Sequence, residues 1–247
     1  MSNRFTNGLK TVLAITWFNG IVNLKRSPLS VLNFVLTPFS ILFFIFIFGG
    51  ARATTYGLVG GVVSTIVSSS IIIETDAAFI RLILRIQDMF VASPSTPLTY
   101  VAGLALSELM NGLPGIIIFL VLLTHFNHVG MFGDALIVYS AALTWASISS
   151  LGFFISTFAR DPRDLWVYSP ILTVMLSFLP PVYYPITIIP GWLRPIAYLA
   201  PTTYSAQLIR IATGISKGDT ALYTLGILVY TLILIYLAGK RMRWREV

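Results

Sequence analysis

Two polar residues interrupt one of the most apolar stretches of this chain. Glu108 and Asn111 lie one helical turn apart within Pro97–Leu123, with Pro114-Gly115 just beyond. A carboxylate at membrane depth is expensive and marks a functional site by default. It is expected either as a polar spot on a transport pathway or as a point where the segment flexes. The alternative is a carboxyl group hydrogen-bonded to a neighbouring helix or lying nearer the membrane edge. Other chemistry is thin. His125 and His128 are the only histidines, and two ligands without a third imidazole or nearby carboxylate make a poor metal site. No serine pairs with histidine or lysine in a recognisable dyad, so hydrolysis at membrane depth is not expected. No G-x-x-x-x-G-K-[S/T] occurs, and the one Gly-Lys pair, Gly239-Lys240, is followed by Arg241. A phosphate cradle needs the backbone amides of such a loop. The chain is therefore expected to hold no catalytic residue, metal, cofactor or ATP of its own. Cysteine is absent, which removes disulfides and thiol chemistry.

The second concentration of unusual residues is Leu179–Arg210, LPPVYYPITIIPGWLRPIAYLAPTTYSAQLIR. It is apolar enough for a membrane, yet six prolines forbid one continuous helix. Broken backbone at membrane depth survives only where it is buried in protein or lines a wet cavity. Tyr183, Tyr184, Trp192, Tyr198 and Tyr204 gather here. They are expected either as an interfacial aromatic belt or as rings that line or gate an exit, with flat apolar faces and polar rims. Arg194 and Arg210 could meet lipid phosphates or an anionic substrate.

The elements that must position these residues follow from composition. Of 247 residues, 56% are hydrophobic and 10% charged, with mean hydropathy +0.86. A soluble domain is about 25% charged, so a polytopic membrane protein is expected. The net charge of +7 suits the cytoplasmic side of such a protein. No basic patch with interleaved aromatics supports nucleic-acid binding. The start, MSNRFTNGLK, lacks the apolar core and cleavage site of a signal peptide and is expected to be retained. Six stretches are apolar enough to span: Leu29–Gly49, Tyr56–Ile73, Pro97–Leu123, Leu136–Phe158, Leu165–Leu179 and Ala221–Ala238. With six spans, 12 of the 16 Lys and Arg residues fall on one side, and only Arg52, Arg194, Arg210 and Lys217 on the other. The richer side is expected in the cytoplasm, with both termini.

Three further segments carry expectations. Residues 4–26 have apolar residues on about half a helical wheel and are expected as an interfacial helix anchored by Trp17 and flanking cations, or simply as the lead-in to the first span. The second span carries small residues at spacing four, Gly57, Gly61, Thr65 and Ser69, with Gly60, Ser64 and Ser68 beside them. That stripe packs a helix closely or lines a polar pathway. After it, Thr75 or Asp76 can cap a short amphipathic helix over 76–92. Phe79, Ile80, Ile83, Ile86, Met89 and Phe90 recur at helical spacing, and Arg81, Arg85 and Asp88 share the other face. Such a helix either docks a soluble partner or lies on the membrane. Arg160, Asp161, Arg163 and Asp164 form a loop between spans, read as a solvated turn or a second docking contact.

The helix ending in A-S-P-S-T-P-L-T-Y-V-A-G resembles the cytoplasmic coupling-helix region of type-2 ABC exporter permeases. The proline-punctuated PPVYYPITIIPGWLRPIAYLAPTTYSAQLIR resembles the paired short re-entrant helices that these permeases carry before their last span. The resemblance covers essentially the whole chain. It implies an all-α membrane protein forming one permease domain, 1–247. The parts are six transmembrane helices, an N-terminal interfacial helix over 1–26, a coupling helix over 76–92 and a re-entrant outer hairpin over 185–212. It implies a plasma-membrane exporter in which two permeases, identical or paralogous, pair with two cytoplasmic ATPase subunits that bind ATP and Mg. Docking would fall to Arg81, Arg85, Asp88, Met89, Phe90, Pro94, Arg160 and Arg163. The pathway would involve Glu108, Asn111 and the aromatic and cationic residues of the broken segment. The A-S-P-x-S/T-P-L and P-G-W-L-R blocks look more like the daunorubicin-type drug-resistance branch, which implies a lipophilic or amphipathic cargo. Polysaccharide and teichoic-acid permeases share the general shape, so export of a lipid-linked glycan is the alternative. A membrane scaffold that transports nothing is the second.

Overall fold

A computed structural model describes residues 2–93, 95–127 and 129–241, and every regular element among them is helical. The chain opens with α1 (Ser2–Ile15), a π-turn over Thr16–Ile21 and α2 (Val22–Arg26). This arm packs along a later helix, α6 (Pro97–Asn127), because small residues allow it. Gly103 receives Ile15, and Gly20 lies on the backbone of Ser107. Trp17 stays exposed, with the Lys25 ammonium 5.4 Å from its ring.

The helix α3 (Ser30–Ile71) is a hairpin of two limbs. It breaks at Gly50, where φ is +70° and ψ −176°, a conformation only glycine adopts cheaply. The limbs return against each other, with Gly57 facing Leu42 and Ile45. The second limb runs on through Ile72 into α4 (Ile73–Leu82) without leaving helical geometry. Thr75 and Asp76 are therefore inside a long helix rather than at the start of one. The expected helix over 76–92 is instead divided. The chain turns at Ile83–Arg85, where Arg85 is left-handed (φ +51°), before α5 (Ile86–Ala92). An arginine there bears a real steric cost, so the elbow is imposed by the packing on either side.

Among the described residues, five helical stretches are long and apolar enough to cross a membrane: Val31–Ala51, Ala53–Leu82, Pro97–Asn127, Met131–Ser156 and Thr220–Arg241. They correspond to five of the six expected spans. The remaining one, α8 (Pro162–Ser177), has 16 residues, about 24 Å at 1.5 Å per residue, against a hydrocarbon core of about 30 Å. It starts cleanly, with Asp161 capping the Arg163 N–H and Pro162 in the first turn. It stops where Pro180 and Pro181 remove two backbone donors.

Interhelical hydroxyls tie the rest of the bundle. On α7 (Met131–Ser156), the Thr144 hydroxyl donates to Ser205 Oγ at 2.6 Å and Ser140 Oγ lies 3.0 Å from the same atom. Ser205 belongs to α10 (Pro201–Ala212). Ser147 meets Thr231 of α11 (Thr220–Arg241) at 2.6 Å, and the Trp145 indole donates to the Ala105 carbonyl at 3.1 Å.

Candidate functional site

The small residues of the second α3 limb divide by face. Gly57, Gly61, Thr65 and Ser69 pack: Gly61 receives Phe119 of α6, and Thr65 and Ser69 sit against Gly115 and Gly112. The neighbouring face does not pack on α6. Ser64 and Ser68 look into a cavity of about 520 Å³ whose opposite wall is α8, with Trp166, Ser169, Thr173 and Ser177. The first limb of α3 supplies Asn33, Phe34 and Thr37, and α4 supplies Asp76 at the end nearer both termini. From Ser64 to Asp76 is twelve residues, roughly 18 Å along a helix. The packing reading of the small-residue stripe therefore holds for one face of the helix, and the adjacent face lines the cavity.

At the Ser64 end the cavity is lined by Phe178, and Tyr183 stands behind that ring. Their rings stack at 5.5 Å with an interplanar angle of 7°. The Tyr183 hydroxyl lies 2.5 Å from Ser64 Oγ. Ser64 donates its own proton to the Gly60 carbonyl at 2.7 Å, so it is Tyr183 that donates to Ser64. The ring lies directly on Gly60, where any Cβ would overlap it.

Tyr183 is held by its neighbours on the chain. Arg210, on α10, is 1% exposed. Its Nη2 donates to the carbonyls of Pro181, Val182 and Tyr184 at 2.6, 2.7 and 3.0 Å. Its guanidinium lies 4.8 Å from the Tyr56 ring, while Nε and Nη1 have no hydrogen-bond partner among the described residues. A proline-broken strand leaves carbonyls without helical donors, and Arg210 satisfies three of them at once. This corrects the expectation that Arg210 meets lipid phosphates or an anionic substrate: it is buried as a clamp. Tyr184 is also engaged, its hydroxyl donating to the Leu179 carbonyl at 2.7 Å.

Beyond the clamp the chain makes 3-10 turns at Ile186–Ile188 and Gly191–Leu193 and a short α9 (Arg194–Ala197), then enters α10. Thr202 at the start of α10 donates to the Leu176 carbonyl at 2.7 Å, so α10 begins beside the end of α8. It ends against Gly133 at the start of α7, and Gly214 (φ +70°) terminates it. Trp192 is 77% exposed, and the exposed Arg194 donates from Nε to the Ile189 carbonyl at 3.1 Å. Tyr198 and Tyr204 are not at the cavity. They cluster with Tyr223 and Tyr230 of α11, and Tyr204 lies on Gly226.

Glu108 and Asn111 are buried and do not line the cavity. The Asn111 amide donates to Glu108 Oε2 at 3.3 Å. Glu108 also lies within hydrogen-bond reach of Asp76, which does face the cavity. Asp76 carries no distinct signal for this position in the sequence, where it reads as a helix cap. Glu74 is fully buried as well. Neither of its oxygens makes a hydrogen bond among the described residues, and the Ser169 hydroxyl stands beside it.

The residues expected to dock a partner separate into two groups. Arg81 donates to the Ser156 and Ala159 carbonyls at 2.6 and 3.4 Å, closing the end of α7. Phe90 packs on Tyr100 at 5.3 Å. Both are engaged within the fold. Arg85, Asp88, Arg160 and Arg163 are exposed, and Met89 is 71% exposed. Pro94 and His128 lie outside the described residues.

The described helices thus form a multi-helix domain apolar enough to span a membrane, with a hydroxyl-lined cavity between α3 and α8. The chain belongs to the ABC-2 type transporter family, whose sequence model matches residues 11–213. Membership makes it the permease component of an ABC transporter, a family whose members associate with ATPase subunits. No curated relative matches the chain.

Proposed function

We propose that this chain is the permease of an ABC exporter that moves a lipophilic or amphipathic molecule out of the cytoplasm or inner leaflet of the plasma membrane. Two permeases work with two separate cytoplasmic ATPase subunits, which bind ATP and Mg. The carrying observation is the cavity between α3 and α8, hydroxyl-lined, with Phe178 and Tyr183 stacked across one end. Its volume falls in the range of small-molecule sites, which favours a drug-sized or lipid-like cargo over a glycan chain. The charge asymmetry of the loops supports termini, Asp76 and the α4–α5 elbow on the cytoplasmic side, with the broken segment as a re-entrant hairpin near the outer face.

In this reading the exposed part of the elbow, Arg85, Asp88 and Met89, meets the ATPase together with Arg160 and Arg163. ATP-driven closure of the ATPase pair pushes α5. Because α4 continues the second limb of α3, that push reaches Ser64 and the Tyr183 contact along one helix. Displacing Tyr183 opens the cavity outward. Co-expression with the cognate ATPase tests this. The expected result is a co-purified complex whose ATP hydrolysis is stimulated by an amphipathic substrate. A complex that does not form, or hydrolysis indifferent to every amphipath, contradicts it.

A further inference from the structure

We propose that the cavity between α3 and α8 binds an amphipathic organic cation, with Asp76 as its counter-charge. This rests on the permease reading and names its cargo class. Among the described residues, Asp76 is the one charged side chain in the cavity wall, and no cation lines it. Behind Asp76 stands Glu108, within hydrogen-bond reach. Two carboxyl groups so close ionise together only at high cost, and a cation bound beside Asp76 favours the charged form of that one carboxyl group.

The hydroxyls reinforce that sign. Ser64 donates to the Gly60 carbonyl at 2.7 Å, Ser68 to Ser64 at 2.8 Å and Thr173 to Ser169 at 2.9 Å. A hydroxyl whose proton is spent on its own helix presents lone pairs outward. Ser68 and Thr173 thus offer acceptor lone pairs to the cavity, which suits an ammonium or a delocalised cation. The apolar body of such a ligand has Phe34, Trp166 and Phe178 as flat faces, and rings attract cations. At the end away from Asp76, the Ser177 hydroxyl is fully buried, lines the cavity and has no hydrogen-bond partner. An orphaned buried hydroxyl is costly, and a polar group on the far end of the ligand satisfies it.

Tetraphenylphosphonium and tetraphenylborate share one apolar body and carry opposite charges. In lipid nanodiscs holding the full chain, tetraphenylphosphonium is expected to bind saturably above its partition into empty discs, and tetraphenylborate is not. Asp76→Asn weakens that binding tenfold or more. Thr173→Trp, which fills the cavity from α8, removes it without touching Asp76. Equal saturable binding of both ions, no saturable binding of either, or unchanged binding in Asp76→Asn overturns the proposal. The complex with its ATPase separates the two levels. If a neutral amphipath stimulates hydrolysis, Thr173→Trp abolishes that stimulation and tetraphenylphosphonium gives none, the cation assignment falls and the permease reading stands. If no amphipath of any charge stimulates hydrolysis, the permease reading itself fails.

Discussion

The Tyr183 hydroxyl donates to Ser64 Oγ across 2.5 Å, joining the proline-broken segment to the helix that runs from Gly50 to the α4–α5 elbow. One hydrogen bond and one ring on Gly60 therefore fix the broken segment to the helix that lines the cavity at Ser64 and Ser68. The partners are 119 residues apart.

Gly60→Ala is expected to displace the Tyr183 ring, since a Cβ at that position overlaps it. Overpacking a tight contact costs about 1–3 kcal/mol. The variant should show a lowered midpoint in thermal unfolding and raised passive leak of a cavity-sized dye from proteoliposomes. Gly191→Ala, where a Cβ meets nothing within 4 Å, is the matched control and should change neither.

Arg210→Met removes the donor for three carbonyls. Each carbonyl left buried and unpaired costs about 1–3 kcal/mol, partly offset because a buried guanidinium is itself expensive to desolvate. A net loss of at least about 2 kcal/mol is expected, read by denaturant unfolding in detergent. Arg210→Lys should recover only part of it, because a compact ammonium gives up the planar contact with Tyr56. Full recovery by lysine would mean that charge alone matters there.

Arg81 and Met89 make opposite predictions although both were expected at a docking face. Arg81→Ala unties the end of α7 and should lower stability by about 1–3 kcal/mol, while the folded fraction still binds ATPase. Met89→Asp alters a side chain 71% exposed. It should leave the unfolding midpoint unchanged and abolish co-purification of the ATPase. Retained co-purification would move the docking face elsewhere.

Much of this arrangement was legible in the residues. Apolar run lengths marked six spans, five of which coincide with helices long and apolar enough to cross a membrane; the prolines after Leu179 marked the break, and spacing four from Gly57 to Ser69 marked the helix that packs on α6. What was not legible is long-range pairing. Nothing in the local pattern joins Gly60 to Tyr183 or Arg210 to the Pro181 carbonyl, because those contacts are made by side chain and backbone groups brought together only by the tertiary fold. A buried arginine and an interfacial one read alike in sequence. The division at Arg85 was hidden because the apolar periodicity continues through it. The role of Asp76 was hidden because an acidic residue early in an amphipathic stretch is a good cap whether or not a helix begins there.

The central claim is that the α3–α8 cavity is the substrate's route, open toward the cytoplasm. The chain has no cysteine, so any introduced thiol is the only one. In inverted membrane vesicles holding the complex, Ser68→Cys on the cavity wall should react with a membrane-impermeant maleimide, and an amphipath that stimulates the ATPase should slow the reaction. Val67→Cys, one residue away and fully buried in the core, should stay unlabelled. Equal inertness at both positions, or labelling of Ser68→Cys that no stimulating amphipath slows, would contradict the account.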